Sequence, residues 1–157
     1  MNDGFTHLNE AGQAHMVDVS GRENTHRTAN TSARVNLSSH VVALLRDGDV
    51  PKGDVLATAR IAGIMGAKKT SELIPLCHPI AVNKINIDLV ITDSGVSISA
   101  QVSTSDRTGV EMEALTAVTL AALTIIDMVK ALDPFASISD VQLDSKSGGK
   151  NGDWKRT

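Results

Sequence analysis

The chain has 157 residues, 41% of them hydrophobic, with 15 Lys and Arg against 18 Asp and Glu for a formal net charge of −3 and a sequence pI near 5.9. That length suits one domain and excludes a second full one, and the apolar content fills an interior without help from disulfides or metals. Aromatic residues are only 2% (Phe5, Phe135, Trp154, no Tyr), so the core is aliphatic; stacking platforms for nucleobases are nearly absent, and no overall positive field attracts polyanions.

Residues 1–15 are polar and aperiodic, which predicts a flexible or partner-ordered arm. Short, partly β-branched patterns over 16–20 and 27–37 predict strands, and Ser38 or Ser39 caps a helix running through Arg46. Asp47-Gly48-Asp49 and Pro51 stop that helix, and Lys52-Gly53-Asp54 turns the chain so that Asp54 caps a second helix over 55–70. Pro75 and Pro79 lack backbone donors and make 74–79 a constrained loop. Ile85, Ile87, Leu89 and Ile91 alternate with Asn86, Asp88 and Val90. After the turn Asp93-Ser94-Gly95, Val96, Ile98, Ala100 and Val102 alternate with Ser97, Ser99 and Gln101, predicting a hairpin with one solvated face. A long helix over 109–132 and a strand over 136–143 follow, and 145–157 reads as a second flexible or partner-ordered terminus. Strand, helix pair, strand, strand, helix, strand is the order of an α+β, ferredoxin-like split βαβ fold: one domain, an antiparallel sheet with helices packed on one face.

The long helix reads ALTAVTLAALTII over 114–126, without a charge on any face. A helix apolar all round is buried all round, and a two-layer domain covers one side of it, so the other side is expected to meet a second copy of the chain. The competing expectation is that the preceding helix covers it within the monomer. The uncharged run is shorter than the roughly 18 apolar residues of a bilayer span. A lone Cys77 and the lack of a charged-then-apolar leader point to a soluble protein of the reducing cytoplasm.

Charges on this helix are confined to its ends. Glu111 and Glu113 suit the N-terminal dipole, whereas Asp127 opposes the C-terminal one and needs compensation. Lys130, at i+3, supplies it either as a salt bridge or as a coupled acid/base site. Glu113 and Asp127 share nearly one face but stand about 21 Å apart at 1.5 Å per residue, so together they reach the two ends of a long ligand or belong to different sites. Leu76-Cys77-His78-Pro79 places the only Cys beside a His. No zinc spacing accompanies them, and neighbours in extended chain point apart, so His78 is a better candidate for ligand contact or proton donation than Cys77 is for a nucleophile. Arg27, Lys52, Arg60, Lys68, Lys69, Lys84, Lys146 and Lys150 lie on loops and element ends. The run from Lys146 to Gly152 lacks the spacing of a nucleotide-binding P-loop, but its glycines and two lysines suit a loop that closes over phosphates.

Six strings are more specific than any periodicity: Met16-Val17-Asp18-Val19-Ser20, Lys52-Gly53-Asp54-Val55, Ala59-Arg60-Ile61-Ala62-Gly63-Ile64, Leu73-Ile74-Pro75-Leu76-Cys77-His78-Pro79, Thr108-Gly109-Val110-Glu111-Met112-Glu113-Ala114-Leu115-Thr116-Ala117 and Lys146-Ser147-Gly148-Gly149-Lys150. Together, from about residue 7 to residue 154, they resemble the cyclic pyranopterin monophosphate synthase family, the C protein of molybdenum cofactor biosynthesis. The resemblance implies a ferredoxin-like fold, a homohexamer built as a trimer of dimers with the site at a dimer interface, and no redox step. It also implies conversion of 3',8-cyclo-7,8-dihydro-GTP to cyclic pyranopterin monophosphate with release of pyrophosphate, a phosphorus-oxygen lyase reaction. By the same resemblance Asp127 is catalytic with Lys130 and Lys52. Leu76, Cys77, His78, Met112 and Glu113 bind substrate, and Arg27, Lys68 and Lys146 join Lys52 as candidates for the triphosphate. No cofactor, metal, nucleic acid or membrane partner is implied, and Mg2+ accompanying the triphosphate is left open by the sequence. Ile126 and Val129 depart from a Tyr and a Cys common in the family, which leaves those two side chains without an expected role. Two other readings compete: a noncatalytic ferredoxin-like module that senses a small anion, and an inactive paralogue.

Overall fold

The computed structural model describes residues 8, 9, 11–149 and 152–157. Of the predicted arm, residues 1–7 and 10 lie outside that set, as does Lys150; Leu8 and Ala14 form an isolated antiparallel bridge. The elements run β1 (Thr25–Asn36), α1 (Ser39–Asp47), α2 (Val55–Lys68), α3 (Thr70–Leu73), β2 (Val82–Thr92), β3 (Gly95–Asp106), α4 (Glu111–Val129), β4 (Ser137–Ser147) and β5 (Trp154–Lys155). All strands join one antiparallel sheet in the order β2-β3-β1-β4-β5. The first four strands in that order are the split βαβ arrangement, because β3 lies between the two strands that the α1–α2 crossover connects.

Alternation dictates which face is covered. Ala29, Thr31, Ala33 and Val35 of β1 are buried with Val96, Ile98, Ala100, Val102 and Thr104 of β3, and β2 adds Ile87 and Leu89. The intervening Asn30, Ser32, Ser99 and Gln101 form a polar outer face. The main core lies between the sheet and α1, α2 and α4. A smaller cluster of Ala29, Val102, Val110 and Ala114 pins the start of α4 to β1 and β3.

Caps set the helix ends as expected. The Ser38 hydroxyl accepts from the Val41 amide, Gly48 closes α1 with φ 76°, and the Asp54 carboxylate accepts from the Ala57 amide at 2.9 Å to start α2. α2 crosses α4 at two glycines. A Cβ on Gly63 would lie 2.6 Å from Ile87 Cδ1 and 2.8 Å from the Ala117 carbonyl oxygen, and one on Gly66 would lie 2.9 Å from Leu120 Cγ. The preceding helix therefore covers much of α4 within the monomer, while Leu123, Ile61 and Met65 stay more than half exposed on the two helices.

Several expectations are corrected. Residues 16–20 are not a strand: they run as coil, and Val17 and Val19 line a groove instead of joining the sheet. The helix predicted over 55–70 breaks at Lys69, where α3 begins a separate turn. β4 extends past the predicted residue 143 to Ser147, and Trp154–Lys155 returns to pair with it as β5, so the segment 145–157 contains sheet structure. With its charged ends included, α4 is long and apolar enough to cross a bilayer by length and composition. It is instead the central core helix, packed on β1, β3 and β4 and against α2, with 56% of its apolar window buried.

Candidate functional site

Two cavities of about 310 and 300 Å³ adjoin at the N-terminal end of α4. Both have Arg22, Thr108, Gly109 and Glu111 in their walls, so they form one groove with two compartments.

The first compartment is cationic. Arg27 sits near the start of β1, and its guanidinium is anchored to the end of β3, Nε donating to the Asp106 carbonyl at 3.1 Å and an Nη to that of Arg107 at 3.2 Å. Lys146 arrives from β4, level with Ala29 in the sheet, and its ammonium donates to Glu111 Oε1 at 3.0 Å in a half-buried ion pair. Gly148 and Gly149 both take positive φ (83° and 82°) to curl the chain around this compartment; a Cβ on Gly148 would run into the His26 carbonyl oxygen, and one on Gly149 would press on the Arg27 guanidinium. The Gly148 amide donates to Asp153 Oδ1 at 2.9 Å, which fixes the curl.

The second compartment holds the acid/base candidates. Its walls are Leu76, Cys77 and His78 from the proline-braced loop, Met112 and Glu113 from the first turn of α4, and Val17 and Val19 from the segment before β1. The His78 Nε2 lies 2.7 Å from the Val17 carbonyl oxygen, a bond it makes as donor, and this ties the 16–20 segment across the groove. Glu113 is 4% exposed. Burial, with a smaller push from Glu111, raises its carboxyl from 4.5 to about 7. Burial and then Glu113 push the Cys77 thiol up, so it stays protonated at neutral pH and is a wall of the compartment, not a nucleophile.

Lys52, Asp127 and Lys130 come together at the other end of α4. Lys130 Nζ donates to Asp127 Oδ1 at 2.6 Å; Lys52 Nζ donates to Oδ2 at 3.3 Å and to the Asp127 carbonyl at 2.7 Å. Lys130 first, then Lys52, holds the Asp127 carboxyl below its ordinary value. The predicted need for compensation is thus met twice, and Lys52 also satisfies a carbonyl of the last turn. All three side chains are about half exposed, with room for a ligand to approach.

Within one chain, then, Arg27, Lys146, Leu76, Cys77, His78, Met112 and Glu113 share a groove, and Lys52, Asp127 and Lys130 form a second cluster about 21 Å along α4. Lys68 joins neither: it is exposed at the end of α2 and lines neither compartment. Arg60 donates to the Ile87 carbonyl, and Lys69 pairs with Glu72 at 3.7 Å. Among the described residues no group of three or more His, Cys, Asp or Glu is placed to hold a metal ion. Sequence reasoning assigned no role to Arg22, Thr108 or Gly109. The available signal for Arg22 was a cation following the Ser20-Gly21 turn directly after the Met16-to-Ser20 string.

A family model described as "MoaC family" matches residues 16–149. A "Cyclic pyranopterin monophosphate synthase" of Streptomyces avermitilis is 63% identical over 155 residues, covering 99% of this chain and 91% of its own. One from a Nocardioides species is 57% identical over 155 residues, covering 97% and 95%. A "Cyclic pyranopterin monophosphate synthase 2" of Mycobacterium tuberculosis is 52% identical over 152 residues, covering 97% and 91%.

Proposed function

The chain belongs to the MoaC family, and from that premise we propose that it is a cyclic pyranopterin monophosphate synthase of molybdenum cofactor biosynthesis. It converts 3',8-cyclo-7,8-dihydro-GTP to cyclic pyranopterin monophosphate and pyrophosphate, as a phosphorus-oxygen lyase working in the cytoplasm without a cofactor.

The observation that carries the reading is the two-compartment groove: fixed cations on one side, and on the other a buried carboxyl that titrates near 7 beside an imidazole. The cationic compartment receives the polyphosphate. Arg27 and Lys146 are preorganised there by carbonyls and by Glu111, so they stabilise charge growing on departing pyrophosphate without reorganising. The compartment of His78, Cys77 and Glu113 receives the ring system. Opening the imidazole part of the purine and closing the pterin require proton transfers at nitrogen and oxygen, and a carboxyl poised near 7 both gives and takes protons at neutral pH.

Asp127, kept anionic between Lys130 and Lys52, acts with them as the second acid/base group. Since this cluster lies about 21 Å from Glu113 along one helix, we assign the complete site to two chains: the groove of one protomer and the Lys52–Asp127–Lys130 cluster of its neighbour, in a homohexamer arranged as a trimer of dimers. Lys68, outside both clusters in the single chain, reaches the triphosphate in this arrangement only across that boundary.

The test is incubation of the purified protein with the cyclic dihydro-GTP, with detection of the pterin after oxidation and of pyrophosphate. Wild type yields both products, and Asp127→Asn binds the substrate without turning it over. A well-folded oligomer that forms no product overturns the assignment.

A further inference from the structure

We infer that Arg22 is a substrate-binding residue that holds the phosphate at the junction between the two compartments. This deepens the reading above and rests on it. Among the described residues Arg22 is the only cation that lines both compartments; the other shared walls are Thr108, Gly109 and Glu111.

The remaining cations of the groove are already engaged. Arg27 donates to two backbone carbonyls, and Lys146 is paired with Glu111 at 3.0 Å. Arg22 aside, Glu111 offsets one of the two positive charges, which leaves Arg27 and Lys146 with a net charge of about +1 for a polyphosphate that carries several negative charges. The Arg22 guanidinium makes no hydrogen bond or ion pair among the described residues, so its full charge and five donors are free for a ligand.

Its backbone is nevertheless fixed. The Arg22 amide donates to the Val19 carbonyl at 3.0 Å, the Ser20 amide to Asp18 Oδ1 at 2.8 Å, and His78 Nε2 to the Val17 carbonyl at 2.7 Å. The last of these ties the segment to the wall that carries His78, and the first two fold the chain between Asp18 and Arg22. A guanidinium presented this way binds phosphate oxygens through two parallel N–H donors. In the junction those oxygens belong to the phosphate next to the nucleoside, the one retained as the cyclic phosphate, while the leaving pyrophosphate lies with Arg27 and Lys146.

Steady-state kinetics on the full-length oligomer with cyclic dihydro-GTP, for wild type, Arg22→Ala and Arg22→Lys, tests the inference. We expect Arg22→Ala to raise KM about 10- to 100-fold, the loss of one charge-assisted contact, with an unchanged melting temperature. Arg22→Lys recovers part of the loss because it restores the charge without the fork. Wild-type KM in Arg22→Ala, or a KM that Lys does not improve, overturns the inference while leaving the proposed reaction standing. Calorimetric titration with GTP separates the two claims. If wild type makes no pterin but binds GTP, and Arg22→Ala weakens that binding, the anion role stands and the reaction falls. If GTP binding is equal in wild type and Arg22→Ala, the anion role falls.

Discussion

Glu113 is a carboxyl kept at a cost to the fold, and its replacement by Gln separates that cost from its chemistry. Its titration near 7 instead of 4.5 corresponds to a ceiling of about 3.5 kcal/mol, at about 1.4 kcal/mol per unit. The compartment opens to water, and screening brings the expected value to about 2 kcal/mol. At low pH the carboxyl is protonated in both folded and unfolded chains and costs nothing. Between 4.5 and about 7 the unfolded chain ionises first and binds fewer protons, so stability falls as pH rises; above 7 the loss is complete and constant. Glu113→Gln, nearly isosteric and never charged, escapes this loss. Urea unfolding followed by circular dichroism, at one fixed protein concentration because oligomerisation contributes to stability, is expected to show the variant more stable than wild type by about 2 kcal/mol at pH 8 and by about a quarter of that at pH 5. The same variant loses turnover. An equal gain at both pH values, or no gain at pH 8, refutes the argument that burial sets the ionisation of Glu113.

Gly63→Ala places a Cβ 2.8 Å from the Ala117 carbonyl oxygen, backbone that cannot rotate away. Overpacking of about 1–3 kcal/mol outweighs the helix-propensity gain of about 1 kcal/mol, so the melting temperature is expected to fall, and a rise counts against the tight α2–α4 crossing. If the site is shared between chains, Glu113→Gln and Asp127→Asn are each inactive alone. Co-refolded, they recover about a quarter of wild-type activity, since half the two-fold dimers are mixed and each of those has one intact site of two; no recovery places the whole site on one chain.

The hairpin was legible because each of its strands has a period of two and Asp93-Ser94-Gly95 leaves one register, Thr92 opposite Gly95. Caps at Ser38 and Asp54 were legible because a short side chain bonding an amide three residues on is a local event. What escaped depends on distant partners. Val17 and Val19 read as strand by composition, yet their segment is held by His78, 61 residues away, and faces the groove. Lys130 was readable as the partner of Asp127 at i+3, whereas Lys52, 75 residues away, needs the turn before α2 and the antiparallel crossing of α2 on α4 to arrive. Arg22 escaped for the same reason: it stands out because both compartments have it in their walls, not through a spacing in the chain.

α4 explains why two carboxyls of one helix titrate in opposite directions. Glu113, in the first turn, is buried with a second carboxyl nearby and rises to about 7. Asp127, near the last turn, is exposed between two ammonium groups and falls. At neutral pH one is ready to exchange a proton and the other is held as an anion, a separation of titrations set by environment alone. The uncharged run between them forms the core against α2 and the sheet, so it fixes the distance and keeps the two groups electrostatically independent. A rigid helix cannot bring its own ends together. If both groups serve one molecule of substrate, the sequence that makes α4 a core helix also requires a second copy of the chain to complete the site.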